Sequence, residues 1–314
     1  MNLPSEVNLR EVAPRDGFQF LKKFLPTDQK LQIIEALAIS GIRHIEATSF
    51  VSPEAIPQLR DAAELMSRLP RQNTTYAVMV PNLKGAQKAI AAKADRLVAV
   101  ISATEAHNQK NVHRSITESL ADLDAIFAVS QKNNIPVIGA IAVAFGCPYQ
   151  GDVPRDDVFM LVESYVSRGA ISMILADTTG MASPTRVKQL VGQFQDRFSG
   201  TDLVLHFHNN RGTAMANLLS ALLAGATQFD TSLGGIGGCP YVPQAAGNLP
   251  TEDVVFMLED MGIHTGIDLE AVIKASHLLE KTLGYTLPGQ VMKSGPRDPE
   301  LAARLCGIDY NYKR

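Results

Sequence analysis

The 314-residue chain predicts an α/β fold, a (β/α)8 TIM barrel with additional C-terminal helices. Eight strand-like stretches alternate with helical stretches over about 260 residues, which matches this barrel in count and length. Most of the strand-like stretches are short apolar runs, as expected for strands buried on both faces. A doubly wound open sheet is the alternative, but the glycine-rich turn that usually follows its first strand is missing.

The strands are predicted on apolar runs that recur along the whole barrel region. In chain order they lie near residues 8–13, 43–47, 75–80, 96–101, 136–142, 172–176, 203–207 and 228–232. Amphipathic helical stretches separate them. The spacing therefore predicts parallel strands joined by helices, as the barrel requires.

Helix boundaries are clearest at two places. Residues 27–40 predict a helix with Thr27 as N-cap and Gly41 as its stop. Ser183 before Pro184 puts a capping residue ahead of a proline at the first helical position. Beyond the barrel, residues 269–283 predict a further helix, followed by a charged tail.

No linker, low-complexity tract or short-period repeat divides the sequence. We therefore predict one domain over residues 1–314, with the barrel at about 7–265 and a C-terminal helical extension at about 266–314. At 46% hydrophobic and 19% charged residues, the composition is that of an ordinary soluble globular protein.

The composition and the apolar patterning also argue against a nucleic-acid partner, a membrane span and an oxidising compartment. A net charge of −3 and the lack of a basic stripe with interleaved aromatics argue against nucleic acid. No apolar run is long enough to cross a bilayer, and the N-terminus lacks a basic segment followed by an apolar one. Three cysteines are too few for a disulfide framework and favour a reducing compartment. We expect a cytoplasmic protein without a membrane partner.

Polar residues end or follow most of the predicted strands. Active sites of this fold lie at the carboxyl ends of the strands, so the barrel would bring these residues to one rim. In chain order they are Arg15, Asp16, Glu46, Asn82, Asp177, His206, His208, Cys239 and Asn248.

The pair His206 and His208 ends the seventh strand. Residues two apart on a strand share a face, so both imidazoles would point the same way and can chelate one divalent metal. With the carboxylate of Asp16 and the amide of Asn248 they form a mixed oxygen–nitrogen set. Such a set suits Mg²⁺ or Mn²⁺ with open positions for substrate oxygens. Two ordinary histidines at a strand end are the alternative.

The charged residues have structural alternatives as well. Asp16 before Gly17 can be a turn residue, and Arg15 a surface ion-pair partner. Glu46 lies inside an apolar run, where an unpaired carboxylate is costly, so a structural salt bridge to Arg15 is an option. Asp177 can cap a turn or a helix.

Cys239 follows the glycine-rich stretch 234–238. A free cysteine is most often a small buried hydrophobe. A glycine-rich loop can instead carry a thiol over a substrate as a lid. The same glycines can cradle phosphate, but no Gly-Lys-Ser/Thr follows them, so this ranks lower.

Taken together, the motifs resemble the 3-hydroxy-3-methylglutaryl-CoA lyase family over roughly residues 7–285. The resemblance extends to the wider group of metal-dependent barrel lyases and Claisen-type synthases with an Arg-Asp start and a His-x-His metal pair. The matching motifs are Arg15-Asp16-Gly17, Ile45-Glu46-Ala47-Thr48-Ser49, Pro81-Asn82-Leu83-Lys84-Gly85, Gly146-Cys147-Pro148-Tyr149, Asp177-Thr178-Thr179-Gly180, His206-x-His208, Gly237-Gly238-Cys239-Pro240-Tyr241, Gly247-Asn248-Leu249 and Gly262-Ile263-His264-Thr265-Gly266.

The resemblance implies retro-aldol cleavage of a 3-hydroxy-3-alkylglutaryl-CoA, which for the family substrate gives acetyl-CoA and acetoacetate. It implies that Mg²⁺ or Mn²⁺ binds the C3 hydroxyl and the distal carboxylate of the substrate. Asp16, His206, His208 and Asn248 are the implied metal ligands. Leucine degradation is the pathway that the family name suggests.

The same resemblance implies roles for the neighbouring residues. Arg15 would stabilise the thioester enolate, and Cys239 would protonate it as the general acid. His206, or a bound water, would assist proton removal, while Glu46 and Asp177 would order the cluster. For the coenzyme, the implied contacts are Lys110, Asn111 and Lys84.

Two stretches depart from the family pattern. After Arg-Asp-Gly the family usually has Leu-Gln-Asn, and here Phe18-Gln19-Phe20 stands. After His-x-His it typically has Asp-Thr-Tyr-Gly, and here Asn209-Asn210-Arg211-Gly212 stands. We expect Phe18, Phe20 and Arg211 to lie near the pocket, and our hypothesis is that this added aromatic bulk and the new cation give a preferred acyl group that differs from the 3-methyl compound.

Three other functions compete with this reading. A Claisen-type synthase of the isopropylmalate or homocitrate group uses much the same metal site, but such chains are usually longer. A metal-binding protein without catalysis is disfavoured by the full set of polar residues. An aldolase acting on free keto acids is the alternative if Lys110 and Lys84 are ordinary surface residues. We expect a homodimer as the default for outer barrel helices with apolar faces.

Overall fold

In the computed structural model, residues 3–238 and 247–308 are described. Eight parallel strands close into a barrel in sequence order, with β8 paired to β1. The strands are β1 Asn8–Glu11, β2 His44–Ser49, β3 Thr75–Val80, β4 Arg96–Ser102, β5 Val137–Ala142, β6 Ser172–Asp177, β7 Asp202–Phe207 and β8 Gln228–Thr231. This confirms the (β/α)8 prediction, and every predicted strand is present with ends shifted by at most two residues.

Helices follow the strands around the barrel and continue beyond it. They are α1 Thr27–Ile39, α2 Ala62–Arg68, α3 Leu83–Ala91, α4 Glu105–Val112, α5 Ile116–Lys132, α6 Arg155–Ser167, α7 Pro184–Arg197, α8 Ala214–Leu223, α9 Thr251–Asp260, α10 Leu269–Leu283, α11 Val291–Ser294 and α12 Pro299–Cys306. The additional C-terminal helices are thus confirmed, and α10 packs against α1 and α9. The one-domain boundaries stay a prediction. Among the residues described, no helix has both the length and the apolar character needed to cross a membrane.

The start of α1 differs from the prediction. Thr27 is the first helical residue rather than the N-cap, and its hydroxyl donates to Asp61 at 2.9 Å. Pro26 occupies the cap position and offers no side-chain hydrogen bond. Gly41, with φ of +97°, stops the helix as predicted because this backbone conformation favours glycine.

The barrel interior is apolar at its centre and polar at the carboxyl ends of the strands. Its apolar part is a cluster separate from the core between strands and helices, since strand side chains alternate between the two sides. The cluster consists of Ala77, Val98, Ile138, Ala140, Ile174 and Val204. It forms the floor beneath the polar residues of the rim.

Helix α9 contributes a buried carboxyl group to the end of the barrel that carries these polar residues. Glu252 is fully buried, and its Oε2 accepts a hydrogen bond from the backbone N–H of Gly234 at 3.0 Å. Its Oε1 has no hydrogen-bond partner among the described residues. Burial, and secondarily the charge of Asp253, raise the pKa of Glu252 to about 8.

We expect Glu252→Gln to flatten the dependence of unfolding free energy on pH. The pKa of Glu252 rises on folding, so its stabilising effect is complete below about pH 4.5, the unfolded value, and is lost as the pH rises through 8. Between pH 5 and pH 9 the native protein should lose about 4 kcal/mol from this group. Urea unfolding at both pH values measures the loss, and the exposed Glu163→Gln is the control. An unchanged pH slope in Glu252→Gln would contradict the prediction.

Candidate metal and acyl-CoA site

Two strands bring three possible metal ligands together at the carboxyl end of the barrel. Asp16 lies in the turn Ala13–Gly17 directly after β1, His206 lies on β7, and His208 follows it. Nε2 of His206 and Nε2 of His208 are 2.9 Å apart, and Nε2 of His208 is 3.6 Å from Oδ2 of Asp16. All three side chains are buried, and one ligand atom from each lies within 4.8 Å of the others. The predicted juxtaposition of Asp16 with the histidine pair is present.

The chemistry of these donors fits a divalent cation. Two imidazole nitrogens at 2.9 Å share at most one proton, so at least one directs a lone pair into the gap. The carboxylate of Asp16 supplies a negative charge beside them. Burial alone would raise the pKa of Asp16, but the Arg15 guanidinium and the two histidines hold it well below its usual range. Asp16 therefore stays an anion at every physiological pH.

The pKa values of the two histidines shift in opposite directions. Burial disfavours a charge on both rings. In His206, a hydrogen bond and the charge of Asp230 outweigh burial and raise the pKa. In His208, burial outweighs the hydrogen bond to the Asp16 carboxylate, and the pKa is lowered. The lowered pKa of His208 favours the neutral imidazole, which is the form that ligates a metal.

Asn248 reaches the same cluster from the segment after β8, the strand that lies between β7 and β1. It pairs with His208 in an isolated bridge, and its Nδ2 donates to Oδ2 of Asp16 at 2.7 Å and to the carbonyl of Ile236 at 3.1 Å. The amide nitrogen, and not the oxygen, therefore faces Asp16. A half turn of the amide exchanges the two atoms. Asn248 is adjacent to the triad, and its role as a ligand stays a prediction.

Arg15 is fixed between two carboxylates. Its Nε donates to Glu46 at 2.6 Å, and one terminal nitrogen contacts Asp16 at 2.5 Å. Burial by itself would lower the pKa of Arg15, but these carboxylates raise it. The salt bridge considered from the sequence is present, and Arg15 is a fixed cation at the edge of the cavity described below.

Sequence reasoning missed two charged residues beneath the triad. Asp230 on β8 approaches Nδ1 of His206 at 3.2 Å, and Arg10 on β1 contacts Asp230 at 3.2 Å and Glu46 at 3.9 Å. Carboxylates that bind the second ring nitrogen of a metal-ligating histidine fix its tautomer and orientation. A charged residue in the middle of a buried strand was the signal that could have identified them. Arg10 and His206 are both register partners of Asp230 on the neighbouring strands.

Asp177 has a different environment from the one expected. Its Oδ1 accepts the backbone N–H groups of Met181 and Ala182 at 2.7 and 3.0 Å, so it closes the turn before α7. Burial raises the pKa of Asp177 to about 6, although these two N–H groups lower it. The side chain does not line the cavity. The turn-capping alternative therefore describes its contacts, and its proposed ordering role stays a prediction.

A cavity of about 250 Å³ opens beside the triad. Arg15, Asp16, Glu46, His206 and His208 form its polar side, while its other side is apolar and includes Phe20, Val51, Ile56, Met79 and Val112. A larger cleft of about 600 Å³ lies between α6 and α7, but it contains none of these residues, and its Arg186 and Arg197 are paired with aspartates. The smaller cavity is therefore the candidate site, since it combines convergent polar groups with an apolar wall.

Of the predicted coenzyme-binding residues, one lines the cavity and two lie outside it. Asn111, at the end of α4, lines the cavity. Lys110 and Lys84 are exposed on α4 and α3 and do not line it. A contact from either lysine would therefore be to a part of the ligand outside the cavity.

The residues that depart from the family pattern have distinct environments. Phe18 is fully buried in the core, whereas Phe20 lines the cavity and is 38% exposed. Arg211 donates to the carbonyl oxygens of Thr179 and Gly180 at 2.7 and 3.0 Å and does not line the cavity. The expectation that Phe18 and Arg211 sit at the pocket is therefore wrong. The ring of Phe18 is buried in the core, and the guanidinium of Arg211 is bonded to backbone carbonyl groups. Phe20 remains as the departure that reaches the site.

Cys239 lies outside the described residues, but its preceding neighbours are described. Gly238 lines the cavity, and Gly237 has φ of +109°. A Cβ at position 237 would lie 2.3 Å from Nδ2 of Asn248 and 3.1 Å from Oδ2 of Asp16. Glycine is thus required at 237 both by the backbone conformation and by the close approach to these side chains.

Comparison with known proteins yields a consistent set of relatives. The HMGL-like family model matches residues 6–279. The hydroxymethylglutaryl-CoA lyase YngG of Bacillus subtilis is 41% identical over 298 residues, which are 94% of this chain and 100% of that protein. The human mitochondrial hydroxymethylglutaryl-CoA lyase is 38% identical, covering 93% and 90% of the two chains. A solved HMG-CoA lyase from Acinetobacter baumannii, in complex with coenzyme A and 3-methylmalate, superposes with a TM-score of 0.91 at 42% identity, covering 94% of this chain and 97% of that one.

Proposed function

The chain belongs to the HMGL-like family, and from this premise we propose that it is a divalent-metal-dependent carbon–carbon lyase. Its reaction is the retro-aldol cleavage of 3-hydroxy-3-methylglutaryl-CoA to acetyl-CoA and acetoacetate, the activity named for its relatives. One observation carries the proposal: three buried metal donors, Asp16, His206 and His208, converge beside the fixed cation Arg15 at the mouth of one cavity.

Asp16, His206 and His208 would hold Mg²⁺ or Mn²⁺, with Asn248 as the fourth protein ligand. A carboxylate oxygen, two imidazole nitrogens and an amide oxygen suit these ions better than a closed zinc site, which usually has more thiolate. When bound, the ion supplies Lewis acidity toward the substrate oxygens.

Side chains of the protein stabilise the negative charge that develops on the substrate as the carbon–carbon bond breaks. A base near His206, or a water molecule that the His206 ring orients, accepts the proton of the C3 hydroxyl group. The bond between C2 and C3 then breaks, and its electron pair moves toward the thioester oxygen. Arg15 stabilises this enolate oxygen because Glu46 and Asp16 hold its guanidinium in place, so no reorientation is needed during the reaction.

Cys239 donates the final proton to C2 and thereby forms the methyl group of acetyl-CoA. Support comes from its position directly after Gly238, which lines the cavity. A thiol with an ordinary pKa of about 8.5 is protonated at neutral pH and can act as a general acid. Glu46 positions Arg15, and Asp177 orders the turn after β6.

The coenzyme extends beyond the cavity. A space of about 250 Å³ accommodates an acyl group and part of the pantetheine arm but not a nucleotide. Asn111 contacts the part inside the cavity, while Lys110 and Lys84 interact with the phosphates outside it. The two exposed ammonium groups are free to reach an anionic ligand at the surface.

The test is acetyl-CoA release from 3-hydroxy-3-methylglutaryl-CoA by the purified protein. We expect strong activity with Mg²⁺ or Mn²⁺ in the presence of a thiol reductant, and its loss in EDTA. A protein that binds Mn²⁺ but releases no acetyl-CoA would refute this substrate and leave the metal site intact.

We expect Phe20→Asn to change the selectivity for the 3-alkyl group. Phe20 adds apolar surface to the cavity wall, which favours substrates with a longer alkyl group. The ratio of kcat/KM for a 3-propyl substrate to that for the 3-methyl substrate should fall by about tenfold in the variant. Steady-state kinetics with both acyl-CoA compounds measure the ratio.

Phe18→Leu is the matched control for this change. It also restores the residue usual in the family, but at a position that is buried away from the cavity. It should leave the ratio unchanged. Equal ratios in native protein and Phe20→Asn would remove the support for a changed acyl preference.

The location, assembly and pathway follow from the same proposal. The small number of cysteines supports a cytoplasmic enzyme. Leucine degradation is proposed as its pathway from the family resemblance. A homodimer is proposed, and size-exclusion chromatography with light scattering tests it.

A further inference from the structure

A buried carboxylate outside the cavity connects three segments of the chain. Glu11, the last residue of β1, is fully buried and accepts hydrogen bonds through both oxygens. Its Oε1 accepts the backbone N–H groups of Ala13 at 2.8 Å and Leu233 at 2.9 Å, and its Oε2 accepts the Thr251 hydroxyl at 2.7 Å. These partners begin the turn after β1, the glycine-rich turn after β8, and helix α9.

The same three segments meet a second time at the metal site. The first supplies Asp16, the second the carbonyl of Ile236, and the third Asn248. Nδ2 of Asn248 joins them by donating to both Asp16 and Ile236. Each segment is therefore fixed at two points, once at Glu11 and once at the candidate metal ligands.

Glu11 itself cannot touch the substrate. It does not line the cavity, and its side chain is fully buried. Its partners lie three residues from each of two proposed ligands, since Ala13 precedes Asp16 and Thr251 follows Asn248 by three positions. A shift of either segment would move a donor atom relative to His206, which lies on β7.

We propose that Glu11 is a positioning residue that sets the distance of Asp16 and Asn248 from the two histidines and thereby the affinity for the metal. This inference rests on the metal ligands of the proposed function. It extends that function by assigning a residue from outside the cavity to the geometry of the site.

Three substitutions separate positioning from general stability. Glu11→Ala removes all three hydrogen bonds, and Thr251→Val removes one of them with little change of shape. Glu11→Gln keeps an oxygen for both N–H groups, and its amide can donate to the Thr251 hydroxyl. Burial raises the pKa of Glu11 to about 7, against hydrogen bonds that lower it, so glutamine also resembles the protonated carboxyl group.

The measured quantity is the Kd for Mn²⁺ alone, determined by electron paramagnetic resonance well below the melting temperature. We expect Glu11→Ala to raise it at least tenfold and Thr251→Val at least threefold. Glu11→Gln should remain within threefold of the native protein. Leu123→Ala, which removes a buried side chain of α5 far from the three segments, should lower the melting temperature and leave the Kd unchanged.

Unchanged Mn²⁺ affinity in the two disruptive variants would overturn the positioning role. So would a Leu123→Ala variant that loses as much affinity as Glu11→Ala, because stability alone would then explain the effect. If Glu11→Ala does not fold, Thr251→Val decides between these outcomes. A native protein that does not bind Mn²⁺ would overturn the proposed ligand set itself, and this inference with it.

Discussion

Asp16→Asn should strongly weaken metal binding and with it the lyase activity, while the barrel stays folded. Asp16 is the anionic member of the triad, and Arg15 and the histidines keep it ionised. Asparagine has nearly the same shape but carries no charge, so the cation loses its strongest attraction. We expect the Kd for Mn²⁺ to rise about a hundredfold and acetyl-CoA release to fall about a thousandfold.

A second buried, ion-paired aspartate provides the matched control. Asp61 contacts Lys30 at 2.6 Å and accepts the Thr27 hydroxyl, but it lies at α1 and α2, away from the triad. Asp61→Asn should lower the melting temperature and leave both the Mn²⁺ affinity and the specific activity nearly native. Native Mn²⁺ binding by Asp16→Asn would exclude this carboxylate as a ligand.

The sequence alone predicts the barrel and the main juxtaposition because both depend on short-range patterns. Eight apolar runs separated by helical stretches specify strands and order, and the closed topology then brings Asp16 on one strand end to His206 and His208 on another. No contact between these residues had to be inferred separately. Polar residues at strand ends are a local feature of the sequence, and closure of the barrel places them close together in space.

Contacts that depend on register or on distant partners were not predictable in the same way. Arg10 and Asp230 lie in the middle of strands, and their pairing follows from how β1 meets β8. Thr27 has the local signature of an N-cap, but the tertiary hydrogen bond to Asp61 replaces that role. Glu11 shows no motif at all, since its three partners come from separate segments.

The two phenylalanines of the first loop illustrate the same limit. Phe18 and Phe20 are two residues apart and chemically identical, yet one packs in the core and the other lines the cavity. Motif comparison identified both positions as unusual, and the backbone geometry was needed to select Phe20.

Cys239→Ser should reduce acetyl-CoA release by at least about a hundredfold, the range that loss of a general acid produces. The proposal that Cys239 is the acid is supported by Gly238, the residue before it in the chain, which lines the cavity. A serine hydroxyl is nearly the same size but a far weaker acid, so it cannot protonate the enolate at a comparable rate. Single-turnover measurements of acetyl-CoA formation isolate this step.

The variant also distinguishes proton delivery from metal binding. Asp16→Asn should lose both activity and Mn²⁺ affinity, whereas Cys239→Ser should lose activity and keep a native Kd for Mn²⁺, because the thiol is proposed as an acid and not as a ligand. Cys306→Ser, on the distant helix α12, should behave as the native protein in both assays. A Cys239→Ser variant with a weakened Mn²⁺ Kd would instead assign the thiolate to the metal, and one with native turnover would remove the thiol from the mechanism.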